Sequence, residues 1–155
     1  MSKTLIAYFS ASGVTERAAR EMAGAIGADL YEIAPAEPYT DADLNWMDKK
    51  SRSTAEMKDP ASRPALAEAV PDMSGYDTVF VGFPIWWGVE PRAVDTFLDG
   101  GVFAGKRMIP FATSGGSGIA HAEAHLRQLY PGLDWRSGRL VNRGGAEWAR
   151  QALDS

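Results

Sequence analysis

Tyr8-Phe9-Ser10-Ala11-Ser12-Gly13-Val14-Thr15 joins a short apolar run, Lys3 to Phe9, to a segment with apolar residues at Ala18, Ala19, Met22, Ala23 and Ile26. The second spacing is that of one helix face, so the stretch reads as strand, turn and helix. The turn carries three hydroxyls, Ser10, Ser12 and Thr15, around the single glycine Gly13. A helix that starts here directs its free backbone N–H groups into the turn, which makes a ready anion site. Each dipole contact there is worth roughly 0.3–1 kcal/mol. Helix capping by Ser12 or Thr15 alone accounts for one hydroxyl but not three.

The same alternation continues outward. Gly27 stops the first helix, and Asp29 to Ile33 reads as a second strand. Tyr76 to Phe83 is the clearest buried strand, followed by Pro84-Ile85-Trp86-Trp87-Gly88 and a helix from about Pro91 to Leu98. Lys106 to Thr113 is another strand, followed by Ser114-Gly115-Gly116-Ser117-Gly118 and a helix from about Ile119 to Leu129. A weaker strand lies near Leu133 to Val141, and a last helix near Ala146 to Leu153. Strands alternating with helices predict a parallel sheet with right-handed crossovers, here as a single α/β domain over residues 1–155. Between Pro35 and Pro71 five prolines and many charges surround a short predicted helix, Asp41 to about Arg52. So long an excursion inside a domain reads as a functional loop or cover.

Bulk properties narrow the function. The chain has 155 residues, 45% hydrophobic and 23% charged, with a net charge of -4. That is globular composition, with no field to attract nucleic acid or an anionic membrane. The absence of cysteine removes disulfides, thiol nucleophiles and thiolate metal sites, so redox chemistry requires a bound cofactor. The apolar run Thr4 to Phe9 is too short for a signal-peptide core or a membrane span, which makes cytoplasmic residence the expectation.

In an open parallel sheet the turns leaving the carboxyl ends of the strands lie together, and ligands bind where the strand order reverses. Three turns there are candidates: Ser10 to Thr15, Pro84 to Gly88, and Thr113 to Gly118. Adjacent Trp86 and Trp87 cannot both face the core from extended backbone, so one is free to meet a planar ligand. Stacking would add about 0.5–1.5 kcal/mol beyond buried area. Packing under the excursion or at a dimer contact is the other reading. The third turn offers exposed backbone groups suited to the hydrogen-bonding edge of a flavin ring, although a plain surface turn would look similar. Neither a Walker pattern nor Gly-x-Gly-x-x-Gly follows the first strand, so a mononucleotide with a terminal phosphate fits best.

At these residues the chain resembles the flavodoxin family. The likeness runs from the Tyr-Phe-Ser-x-Ser-Gly-x-Thr start at Tyr8 to Thr15, through Asp29 to Ile33 with Glu37-Pro38-Tyr39, to Gly82 to Gly88 and Ile109 to Gly118. It implies a flavodoxin-like three-layer sandwich with a five-stranded parallel sheet in order 2-1-3-4-5 and noncovalent FMN. Carried over by position, Ser10, Ser12, Gly13, Val14 and Thr15 would hold the phosphate. Pro84, Ile85, Trp86, Trp87 and Gly88, with Thr113, Ser114, Gly115, Gly116 and Ser117, would flank the isoalloxazine. The Trp87-Gly88 peptide is the candidate to face the flavin N5. Two departures stand out: Val14 replaces a common asparagine, and the third turn lacks the aromatic residue that often covers the outer flavin face.

His121 and His125 stand one helical turn apart, but with no third ligand the pair reads as a solvated helix face rather than a metal site. Arg127, Arg136, Arg139, Arg143 and Arg150 read as surface charges, some of them available to a nicotinamide dinucleotide or an acidic partner, and Leu44, Trp46 and Met47 as residues that pack down or reach over the cofactor. No catalytic side chain is assigned, because hydride transfer from NAD(P)H to N5 needs no protein base. The expected function is electron transfer through FMN with a redox partner protein. The alternatives are an NAD(P)H-dependent reductase of quinones or similar small acceptors, and a flavin-free scaffold binding phosphate or protein. The sequence leaves the oligomeric state open.

Overall fold

Nearly continuous burial along three central strands sets the architecture of this computed structural model, which describes every residue except 1, 2, 12, 46, 115, 117 and 155. The chain order is β1 (Thr4–Tyr8), α1 (Val14–Ile26), β2 (Asp29–Glu32), α2 (Arg52–Lys58), β3 (Thr78–Pro84), α3 (Arg92–Gly100), β4 (Arg107–Thr113), α4 (Ala120–Leu129), β5 (Asp134–Trp135), β6 (Arg139–Leu140) and α5 (Gly145–Asp154). The sheet runs β2-β1-β3-β4-β5, with β6 also paired to β4. Every strand pairing is parallel. This is the expected order, 2-1-3-4-5.

Because side chains alternate across a strand, each central strand feeds two cores. Leu5, Ala7, Val79, Val81 and Phe83 face Val94, Phe97 and Leu98 of α3 and Leu126 of α4. Ile6, Tyr8, Phe80, Ile109 and Phe111 face Ala19 and Met22 of α1 and Ala149 of α5. Three layers result. Burying each large apolar side chain contributes about 1.5–3 kcal/mol, which is why both faces of β1, β3 and β4 read as continuous apolar runs.

Two expectations need correction. The single strand near Leu133 to Val141 is two short pieces, because β4 contains Pro110. Met108 pairs Trp135 and Phe111 pairs Arg139, so three steps along β4 match four along the partner. Pro110 has no N–H to offer there, and Gly138 passes so close that an added Cβ would lie 2.1 Å from the Pro110 carbonyl oxygen. The helix predicted from Asp41 to Arg52 instead begins where that range ends. Side chains divert the backbone upstream: Asp43 accepts from Thr40 N–H and Asp48 from Lys50 N–H. Ser51 then caps α2 by accepting from Thr54 N–H.

The excursion is tied to the sheet layers at several points. Pro35 bridges Leu66, and Tyr31 donates its hydroxyl proton to the Glu68 carbonyl. Buried Arg92 of α3 donates to the Glu56 and Met57 carbonyls at the end of α2. Among the described residues no helix is long and apolar enough to cross a membrane.

Candidate functional site

The sheet order reverses between β1 and β3, so the turns after β1, β3 and β4 meet at one edge. Gly13 caps α1 with φ of 93°, a left-handed conformation glycine adopts freely, and having no side chain it leaves the first helical N–H groups uncapped. Ser10 Oγ accepts from Gly13 N–H at 3.1 Å, which closes the turn. Thr15, buried at the start of α1, shares a 2.7 Å hydroxyl–hydroxyl bond with Thr113 at the end of β4. The first and third turns are thus joined directly. Val14 is exposed beside them. Of the candidate residues, Ser12, Gly115 and Ser117 lie outside the described residues.

The second turn separates the two tryptophans as alternation requires. Trp86 packs edge-on against Phe9 and Tyr39, with ring centroids 5.4 Å from each. Trp87 is 50% exposed. Trp86 and Val89 exchange both backbone hydrogen bonds around Trp87 and Gly88, whose φ values are 51° and 83°. That is a two-residue hairpin of type I′, in which both central residues must be left-handed. Gly88 accepts this freely. Trp87 does so at a cost of about 1–2 kcal/mol, strain that sits on the residue presented to solvent.

Val14, Pro84, Ile85, Thr113 and Ser114 line a cavity of about 290 Å³ that also includes Trp86. Its remaining wall is Asn142, which sequence reading missed. Asn142 Oδ1 accepts from Ser114 N–H at 3.0 Å and its Nδ2 donates to the Ser114 carbonyl at 2.7 Å. The available signal was positional: Asn142 opens the turn after the last strand, a fourth turn at the same sheet edge. A second hollow of about 210 Å³ lies between Ser10-Ala11 and the excursion at Pro35, Pro38 and Tyr39. The larger hollow of about 370 Å³ is lined by Arg107, Arg136 and Trp148 at the opposite, amino-terminal end of β4, away from the turns.

The excursion covers this edge through aromatic packing. Tyr39 stands between Phe9 and Trp86. Arg52 lies 3.9 Å from the Tyr39 ring centroid, and the Tyr39 hydroxyl donates to Glu56. Burial, then the Glu56 carboxylate, pushes the Tyr39 phenol well above its usual range. Met47 does not pack down, being 73% exposed, and Trp46 lies outside the described residues. The five C-terminal arginines are exposed, as expected.

A buried polar group stands behind the hairpin. Glu90, Arg92 and Asp95 are all buried on the α3 side. His125 Nδ1 lies 2.8 and 3.0 Å from the two Glu90 carboxyl oxygens, so this residue is no solvated bystander. The sequence signal was three charges at Glu90, Arg92 and Asp95 within an otherwise uncharged, mostly apolar Val89 to Leu98. Among the described residues no group of His, Cys, Asp and Glu could hold a metal ion.

An open parallel sheet with uncharged, donor-rich turns gathered at its switch point defines a doubly wound α/β protein of flavodoxin type. The chain belongs to the flavodoxin family, whose model matches residues 3–153. A candidate flavoprotein from Bacteroides eggerthii DSM 20697 is 51% identical, with a TM-score of 0.95 over 99% of this chain and 97% of its own. Another from Bacteroides uniformis ATCC 8492 is also 51% identical, with a TM-score of 0.93 over 99% of both chains. A flavoprotein from Lactobacillus acidophilus NCFM in complex with FMN shares the fold at 23% identity, with a TM-score of 0.77 over 96% of this chain and 99% of its own. No curated protein matches the chain.

Proposed function

We propose that this protein binds FMN without a covalent bond and transfers electrons through it. The observation that carries the reading is one cavity whose turns are joined directly, the first to the third by the Thr15–Thr113 bond, the second to the third by Ile85 N–H donating to the Thr113 carbonyl, and the third to the fourth by the Ser114–Asn142 pair. Ser10 and Gly13 shape the phosphate turn, and the N–H groups at the start of α1 hold the phosphate by hydrogen bonds and dipole, with no lysine or arginine among the described residues of the cavity wall. Pro84, Ile85 and Trp87 flank the ring from the second turn. Thr113, Ser114 and Gly116 meet its polar edge from the third. Bound FMN supplies the redox chemistry, and the chain orients it and tunes its potential through nearby dipoles and charges. The FMN complex of the Lactobacillus flavoprotein supports the same cofactor here.

Half-exposed Trp87 and the small residues of the third turn favour a second reading for the electron path, an NAD(P)H-dependent reductase of quinone-like acceptors. An uncovered ring face admits a planar second substrate. Purified protein incubated with FMN should turn yellow and quench flavin fluorescence; protein that stays colourless would refute cofactor binding. Anaerobic mixing with NADPH or NADH then separates the roles. Rapid bleaching marks a reductase, whereas resistance to both nucleotides with stepwise chemical reduction marks a carrier.

A further inference from the structure

The two histidines of α4 both face the segment Trp86 to Glu90. His121 lies beside Gly88, its Cδ2 3.1 Å from where a Cβ would stand on that glycine. One turn further, His125 meets Glu90, two residues beyond the hairpin turn. The buried carboxyls of Glu90 and Asp95 act on each other, Tyr130 donates to Asp95 Oδ1 at 3.1 Å, and Asp95 Oδ2 is buried with no donor among the described residues. Two carboxyls can bond only when one carries a proton. A buried carboxylate oxygen without a donor is costly, so a proton on Asp95 both relieves it and lets the two carboxyls bond where solvent does not reach. Of the three acid–base residues, Glu90 and Asp95 have fully buried side chains, and only His125 meets solvent, with 24% of its side chain exposed.

Charges from every neighbouring element bear on this chain. Arg92 and Asp99 come from α3, Arg63 from the excursion, and His125 and His121 from α4, with the Tyr130 hydroxyl just beyond it. Arg92 Nη1 stands 3.7 Å from Asp95 Oδ2 and balances one negative charge. Burial, then the Glu90 carboxyl, raises Asp95 to about 8. Burial also raises Glu90 and lowers His125. The consistent arrangement has protonated Asp95 donating to the Glu90 carboxylate, which also accepts Nδ1–H of neutral His125. His125 Nε2 is then the acceptor left to take up a proton.

We propose that Asp95, Glu90 and His125 form a positioning and proton-coupling chain behind the Trp87–Gly88 turn, through which His125 takes up a proton at Nε2 as a cofactor held against that turn is reduced. The inference rests on FMN lying at the turn. A nicotinamide donor delivers two electrons and one proton together as hydride and is itself oxidised; the charge left on the reduced cofactor is balanced by one proton drawn from solvent onto His125. Linkage makes the effect reciprocal, so protonating His125 raises the affinity of the site for electrons. Asp95 already holds its proton and Arg92 offsets the Glu90 charge, which leaves His125 as the member of this chain able to change charge.

The test is the two-electron midpoint potential of the FMN-loaded protein, measured by spectroelectrochemistry across about pH 5 to 8. One extra proton per two electrons steepens its pH slope by about 30 mV per unit wherever His125 titrates. His125→Asn and Glu90→Gln should both lose that increment, while His121→Asn keeps it. Equal slopes in wild type and His125→Asn, or loss of the increment in His121→Asn alone, would overturn the proposal. Failure of FMN to bind would count against the proposed function instead, and the chain is then read in the apoprotein by NMR. There the His125 ring should titrate below its ordinary value and move when Asp95→Asn is introduced; a ring that titrates normally and ignores Asp95→Asn overturns the chain itself.

Discussion

Thr15 does two jobs at once, since its backbone N–H opens α1 while its hydroxyl reaches Thr113. Thr15→Val keeps the shape and leaves the buried Thr113 hydroxyl without this partner, at a cost of about 1–3 kcal/mol. The urea midpoint should fall with an unchanged slope, and FMN affinity should fall with it; a midpoint like wild type would show the bond to be dispensable. Trp87 presents the opposite balance. Trp87→Gly removes left-handed strain of about 1–2 kcal/mol and adds unfolded-chain entropy of about 0.4–1 kcal/mol, so stability should stay within about 1 kcal/mol of wild type. Flavin affinity should nevertheless drop severalfold from lost stacking, worth about 0.5–1.5 kcal/mol. Fluorescence titration beside thermal melting separates the two effects, and a large fall in stability would contradict the strain argument.

At the scale of elements, the central strands are constrained from both faces. Gly82 in β3 pairs with Phe111 in β4, and a Cβ on Gly82 would come within 2.0 Å of the Phe111 ring. Phe111 is fully buried and has no room to retreat. Gly82→Ala should therefore destabilise by about 1–3 kcal/mol through overpacking, read from chemical denaturation. No change would mean that β3 and β4 can separate more easily than their packing suggests. The element boundaries at β1, β3, β4 and α1 were legible in sequence because apolar periodicity there is strong and Gly27 marks a stop. The split of β5 from β6 was not, because it depends on which residue of the neighbouring strand stands opposite, and that residue is Pro110. The excursion helix was misplaced for a local reason: Asp43 and Asp48 turn the backbone aside before Ser51 can cap α2.

For the whole molecule, the buried acids link stability to pH. A carboxyl whose folded value lies above its unfolded value binds more protons when native. Its stabilisation is complete below the unfolded value, about 3.9 for aspartate, and is lost as pH rises through the folded value, about 8 for Asp95. Glu90 acts in the same direction. His125 acts oppositely, because its lowered value makes the unfolded chain bind more protons as pH falls below about 6.5. Asp95→Asn removes the first contribution, so relative to wild type it should gain stability steadily between about pH 5 and pH 8. Paired denaturation curves at the two ends check this. A constant difference would mean that Asp95 is ionised throughout.

The order of strands and helices, the three hydroxyl-, Trp- and Gly-rich turns, and the family likeness were all readable from residue type and spacing, because these depend on local periodicity and turn chemistry. The division of labour between Trp86 and Trp87 was readable only as a requirement that one turn outward; packing of Phe9 and Tyr39 decided which. Thr15 meeting Thr113, Asn142 clamping Ser114, and His125 reaching Glu90 join residues 98, 28 and 35 positions apart. Such contacts exist only once the crossovers bring α4 and the last turn back to the sheet edge. In this protein the sequence by itself determined which turns leave the carboxyl edge of the sheet, because strand and turn signals are local, and the tertiary structure decided which of their side chains face each other and which buried acid stands behind them.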